Sequence, residues 1–181
     1  MGRRQVLCHG DDTRFERVAS LIAERFPGAR HVVDVAGGQG LLSRLLTKRH
    51  GFEAEVVDPR GNVLKGVAHQ ARPFSPSDAD FYDLVVGLHP DGALRAVVES
   101  ALVRPTLLVP CCNFWSDRAP PVAAVAVERR AAGRRPVVGM GLKDMIASIQ
   151  RWYDEHHVGH EVVDLGFSGP YRIGFVTGPP R

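Results

Sequence analysis

Four side chains of this sequence are the candidates for moving protons or forming bonds: His89, Asp91, Cys111 and Cys112. Histidine titrates near about 6.5, so His89 can take a proton from a reacting group at neutral pH. A histidine that only hydrogen-bonds a loop explains the same residue equally well. Asp91 is the next base. The two adjacent thiols allow three readings: small buried residues at a strand end, a nucleophile, or metal ligands with His89. Adjacent cysteines lack the usual spacing of a metal site, so no metal is expected.

All four residues follow apolar runs. In residues 83–90, Leu84, Val85 and Val86 lead through Gly87 and Leu88 to His89 and Pro90; in residues 105–112, Leu107, Leu108 and Val109 lead to Cys111 and Cys112. Such short runs bounded by turn residues read as buried strands. Ligands of an open parallel sheet lie beyond the carboxyl ends of its strands, where strand order reverses, so His89 and the thiols stand where chemistry would be done.

A binding element precedes them. Residues 31–47 pass from the apolar Val32, Val33 and Val35, with Asp34 among them, through Ala36, Gly37, Gly38 and Gly40 to Leu41, Leu42, Leu45 and Leu46. The order is strand, tight turn, helix. Small residues let backbone lie against a ligand, and the first N–H groups of the helix are free to meet polar ligand atoms. A turn of this kind also occurs with no ligand. The strand at 53–57 then ends in Asp58, eighteen residues after Gly40. A carboxylate there can accept both hydroxyl protons of a ribose.

Asp34-Val-Ala-Gly-Gly-Gln-Gly40 resembles the first motif of class I S-adenosylmethionine-dependent methyltransferases, with Ala36 where many members have the first of three glycines. That family also places an acidic residue at the end of the second strand, matching Asp58. The resemblance implies an α/β fold with a Rossmann-like methyltransferase sheet, mostly parallel with a closing antiparallel hairpin. It implies S-adenosyl-L-methionine as cofactor, bound by Asp34, Ala36, Gly37, Gly38, Gly40, Asp58, Leu88 and His89. It brings residues 71–80 beside the adenine, with Asp78 and Asp80 as candidate contacts. Gly-Leu-His-Pro at 87–90 and Val-Pro-Cys-Cys at 109–112 resemble a subgroup with uncharacterised eukaryotic methyltransferase-like proteins and the tRNA ribose methylase group. That subgroup commonly has Cys where this chain has Asp91, so the substrate does not carry across. Some RNA cytosine-5 methyltransferases attack the base from a Cys after the fifth strand, which is the nucleophile reading of the thiol pair. The expected activity is methyl transfer to RNA or a small molecule. A cofactor-binding module without catalysis and an NAD-linked oxidoreductase are the alternatives. The dehydrogenase spacing fits less well, because Gly38-x-Gly40 is followed at the third position by Ser43.

The remaining elements must hold this edge in place. Phe15, Val18, Ala19, Ile22 and Phe26 form one helical stripe across residues 11–26, stopped by Pro27-Gly28. The helix after the glycine turn runs to about residue 50 by the same periodicity, and a short helix is expected at 63–68. A third strand, if formed, is short and at the sheet edge among the turn formers of 71–80. Residues 91–102 and 142–156 read as helices, the latter with Met145, Ile146, Ile149, Trp152 and Tyr153 on its apolar side. Strands at 161–167 and 171–177, joined through Ser168-Gly169-Pro170, must run antiparallel. Residues 117–141, with Arg129, Arg130, Arg134 and Arg135, read either as a cover over the strand ends that holds an anionic substrate or as a solvated basic loop.

With 181 residues, 44% of them hydrophobic, the chain suits one domain spanning 1–181. No apolar run approaches the roughly 18 residues of a membrane span, no signal segment follows the basic N-terminus, and no membrane partner is expected. Three cysteines make no disulfide framework, so a cytoplasmic setting is expected. The net charge is +3, and twenty arginines stand against three lysines. Arginine favours phosphate contacts, but GC-rich codon usage gives the same excess. Nothing in the sequence fixes an oligomeric state.

Overall fold

A computed structural model of the chain describes residues 10–111 and 141–180. Cys112 and the basic segment up to residue 140 lie outside the described residues. The elements follow in the order α1 (Thr13–Arg25), β1 (His31–Val35), α2 (Leu41–Arg49), β2 (Glu53–Val57), β3 (Ala68–Gln70), β4 (Leu84–Leu88), α3 (Leu94–Ser100), β5 (Thr106–Val109), α4 (Leu142–Glu155), β6 (His160–Asp164) and β7 (Ile173–Thr177). Short 3-10 turns at Pro76–Phe81 and Asp91–Ala93 precede β4 and α3.

The seven strands form one sheet in the order β3-β2-β1-β4-β5-β7-β6. The first five are parallel, whereas β7 runs antiparallel to both β5 and β6. The chain builds outward from β1 to β3, then returns to lay β4 on the other side of β1. The strand order therefore reverses between β1 and β4, opening a crevice at their carboxyl ends.

Alternation along the strands sends side chains into two cores. Val33, Val35, Val85 and Leu108 meet Val97 and Val98 of α3 and Met145, Ile149 and Tyr153 of α4. On the opposite face Val32, Leu84, Val86 and Leu107 meet Val18, Ala19 and Ile22 of α1 and Leu42 and Leu46 of α2. Both helical stripes read from the sequence thus cover the sheet, one on each side. Together these layers hold the strand ends in register, with Asp34 opposite Val56 and Leu88 opposite Val109.

Three local expectations change. No helix forms at 63–68, where residues 61–67 cross back beneath the glycine turn before β3 begins. Leu64 donates its N–H to Gln39 O at 3.0 Å, and Leu64 is buried, so tertiary pairing outcompetes a short helix between Gly61 and Gly66. The third strand is short and at the edge, but it precedes the turn formers of 71–80. The closing hairpin is antiparallel with shorter strands than expected: its connection is 165–172, where Leu165 N–H donates to Arg172 O at 3.0 Å.

Candidate functional site

The ladder extends one residue past several strands, which sets the site's floor. Ala36 N–H donates to Val57 O at 2.9 Å, Asp58 N–H to Gln70 O at 3.2 Å and His89 N–H to Val109 O at 2.9 Å. Ala36, Asp58 and His89 consequently stand on one edge, flanking the β1/β4 crevice. Ala36, His89 and Asp91 all adopt left-handed backbone, with φ of 54°, 55° and 49°. A Cβ-bearing residue there costs about 1–2 kcal/mol, and such strain collects where geometry serves a ligand.

Asp34 supports the turn from beneath. Its side chain is buried against α2, where Ser43 Oγ donates to it at 3.1 Å. Burial raises its carboxyl to about 7; the bonds from Ser43 oppose that shift and the nearby charge of Asp58 adds to it. A Cβ on Gly37 would lie 2.4 Å from the Asp34 carboxyl carbon. The Asp34 side chain thus occupies the space that any larger residue at 37 would need. Gly38 differs: its φ is 57°, and a Cβ there would point into open space.

Asp58 is the charged centre of the site, with a side chain of 0% exposure. Its Oδ2 accepts from Gly38 N–H at 2.9 Å and Arg60 Nη2 at 2.8 Å. Its Oδ1 accepts from Arg60 N–H at 2.8 Å and Arg60 Nε at 3.0 Å. Burial pushes the carboxyl up, but the bonds from Arg60 and Gly38 outweigh it and hold it below its usual range. Asp58 is therefore ionised at neutral pH.

Beside it lies a 380 Å³ cavity whose wall includes Ala36, Asp58, Pro59, Phe74, Asp91 and Ala93. That volume is within the range of about 300–1,000 Å³ typical of small-molecule sites. A larger hollow of 650 Å³ sits near His156, Val158 and Gly178, at the opposite end of the parallel strands. The smaller cavity is the better candidate, because it opens at the strand-order reversal and carries an ionised carboxylate.

His89 belongs to the neighbouring face. Its Nε2 lies 2.9 Å from Tyr171 O, and its ring meets Phe167 and Tyr171 edge-on at 6.1 and 6.4 Å. A carbonyl only accepts, so Nε2 carries the proton and Nδ1 presents a lone pair. Burial lowers the imidazole below its usual 6.5, despite the opposing bond to Tyr171, with the charge of Arg14 acting in the same direction as burial. The ring is neutral at pH 7. The α1 start is tied to the same region by Ser168 N–H, which donates to Asp11 Oδ2 at 2.7 Å.

The structure brings Ala36, Asp58 and Asp91 to one cavity, with Gly37, Gly38 and Gly40 in the adjoining turn. Asp34 lies below that turn, and Leu88 is buried in the core facing α1 and α2. Cys111 is half-buried beyond β5. Asp78 and Asp80 do not line the cavity: Asp78 pairs with Arg72 at 2.6 Å, and Asp80 lies 3.5 Å from Arg104. Among the lining residues not singled out from the sequence are Arg60 and Phe74. The signal for Phe74 was a lone aromatic among turn formers; the place of Arg60, two residues after a strand-end acid, does not by itself say where its flexible side chain settles.

No protein-family model matches the sequence, and no curated protein matches it significantly. Solved structures do match the fold. The sugar N-methyltransferase KedS8 from Streptoalloteichus sp. superposes with a TM-score of 0.54 at 16% identity, over 100% of this chain and 99% of that one. The plantazolicin methyltransferase BpumL, solved in complex with SAH, gives 0.55 at 13% identity, over 94% and 86%. The S-adenosylmethionine-dependent methyltransferase SibL gives 0.50 at 16%, over 93% of this chain but 56% of the longer one. The fold is the Rossmann-like methyltransferase fold. In this fold the antiparallel β7 between β5 and β6 is the feature that a plain dinucleotide-binding sheet lacks, and the chain has it.

Proposed function

We propose that the chain is an S-adenosylmethionine-dependent methyltransferase whose acceptor is RNA or a small molecule. The observation that carries the reading is the ionised Asp58 at the wall of the strand-end cavity, beside a turn in which Gly38 leaves open space. The donor set fits a nucleoside: a carboxylate for two hydroxyls, small residues for close approach, and Pro59 and Phe74 as apolar walls for a base. When bound, S-adenosylmethionine supplies a methyl group already made electrophilic by its sulfonium charge.

The chain's own residues then have two tasks. Asp58 and the Ala36–Gly40 turn orient the donor, which substitutes positioning for chance encounter. His89 Nδ1 takes the proton of a protonated acceptor, with Tyr171 O fixing the tautomer and burial keeping the ring neutral. Asp91, on the cavity wall, is the second candidate base. Cys111 and Cys112 stand as candidate nucleophiles, with Cys112 outside the described residues. Support for the reading comes from the site geometry, from the motif resemblance at 34–40 and from the shared fold.

The test is methyl transfer from radiolabelled S-adenosylmethionine to tRNA, rRNA and a metabolite panel that includes amino sugars, alongside binding of S-adenosylmethionine and NAD. Transfer to one acceptor class establishes the reading. Cofactor binding without transfer favours a binding module, and tight NAD binding with no response to S-adenosylmethionine refutes the proposal.

A further inference from the structure

Arg60 covers both carboxylate oxygens of Asp58. Its guanidinium Nε and Nη2 reach Asp58 Oδ1 at 3.0 Å and Oδ2 at 2.8 Å, a two-point fork on the carboxylate. A vicinal diol would use the same two oxygens with the same number of donors. The Nη2 group also lies 3.5 Å from Ala36 O, so the side chain bridges from the end of β2 to the glycine-turn side of the crevice. The Arg60 side chain is nonetheless 61% exposed, whereas Asp58 beneath it is not exposed at all. Arg60 covers the carboxylate without being packed into the core.

We propose that Arg60 is a built-in competitor of the nucleoside: it occupies the ribose position of Asp58 in the free protein and must swing out before the cofactor binds. This inference rests on the nucleoside reading of the cavity. Swinging out leaves Asp58 with the N–H donors of Gly38 and of residue 60 itself, so the buried charge stays partnered while the diol replaces the fork. Asp91, a residue of the same cavity, already exerts its charge on the guanidinium and offers the released side chain a counter-charge. Arg60 thereby sets the threshold that a nucleoside must exceed, and favours ligands offering two donors over those offering one.

The consequence is a population effect. If the open state is about one tenth of the free protein, the observed affinity is weakened about tenfold, and removing the fork restores it. Because the guanidinium is exposed, salt weakens its hold on Asp58 and should mimic part of that removal.

The experiment is calorimetric titration of the full chain and its Arg60→Ala and Arg60→Lys variants with S-adenosylhomocysteine, at low and high ionic strength. Expected is binding about 5- to 10-fold tighter for Arg60→Ala, an intermediate value for Arg60→Lys, and an affinity that rises with salt only where the cation is present. Equal or weaker binding by Arg60→Ala overturns the competitor role and leaves the nucleoside site standing. Absence of binding by all three proteins overturns the nucleoside site and the inference with it.

Discussion

Two neighbouring glycines give a prediction that separates support from contact. Gly37→Ala places a methyl 2.4 Å from the Asp34 carboxyl carbon. The carboxyl must leave Ser43 or the turn must shift. Overpacking a core costs about 1–3 kcal/mol, and stranding a buried polar group adds about 1–3 kcal/mol, so a loss of about 2–6 kcal/mol is expected. For a chain of this length that lowers the midpoint of thermal unfolding by about 4–24 °C. Gly38→Ala meets no atom within 4 Å, and its φ of 57° is the only strain. Its expected cost is about 1–2 kcal/mol, or about 2–8 °C. The new methyl does, however, project into open space from the turn that seats the donor in the proposed reading, so affinity for S-adenosylhomocysteine should fall by about tenfold or more in a protein that remains folded at about 25 °C. Thermal unfolding and calorimetric titration of both variants check the pair. A Gly38→Ala protein that binds like the parent, or a Gly37→Ala protein as stable as Gly38→Ala, refutes the reasoning.

Asp34 predicts a pH dependence of stability. Its carboxyl is raised from 3.8 to about 7 in the folded chain, so its contribution is fully present below 3.8 and is lost as the pH rises through about 7. Denaturant unfolding should show that loss, on the order of 2–4 kcal/mol, between those limits, and Asp34→Asn should flatten it. An unchanged slope in Asp34→Asn removes Asp34 as its source. His89→Ala should abolish turnover while sparing cofactor affinity; an unchanged rate removes His89 from the mechanism. With the imidazole held below 6.5 in the free chain, the acid limb of kcat/KM should have its midpoint below that value, because protonation at falling pH removes the base. A midpoint above 6.5 contradicts the burial argument.

The sheet was largely legible because its strands are short apolar runs ending in residues with a distinct local role: Ala36 in a left-handed turn, Asp58 before a proline, His89 before another. The stripe Val18, Ala19 and Ile22 and the stripe Met145, Ile149 and Tyr153 identified the covering helices for the same reason, since periodicity survives wherever one face is buried. The segment 63–68 departs from the helix its sequence suggests because its conformation is decided by contacts distant in sequence, Leu64 with Gln39 and Val67 over Gly40. Of the site, the acid at 58 was visible from its spacing after Gly40, but its partner was not. Which donors Asp58 holds in the free chain depends on where a flexible Arg60 side chain settles, and no pattern of residue types encodes that. Asp91 lines the cavity and His89, two residues before it, does not; both sit in left-handed backbone, which spacing in the sequence does not reveal.

The most direct test is a crystal structure of the chain grown with S-adenosylhomocysteine. The account predicts ligand density in the cavity between Ala36 and Phe74, both ribose hydroxyls within hydrogen-bonding distance of Asp58, and Arg60 turned away from that carboxylate. Ligand bound elsewhere, with the Arg60–Asp58 pair intact and the cavity closed to it, would contradict it.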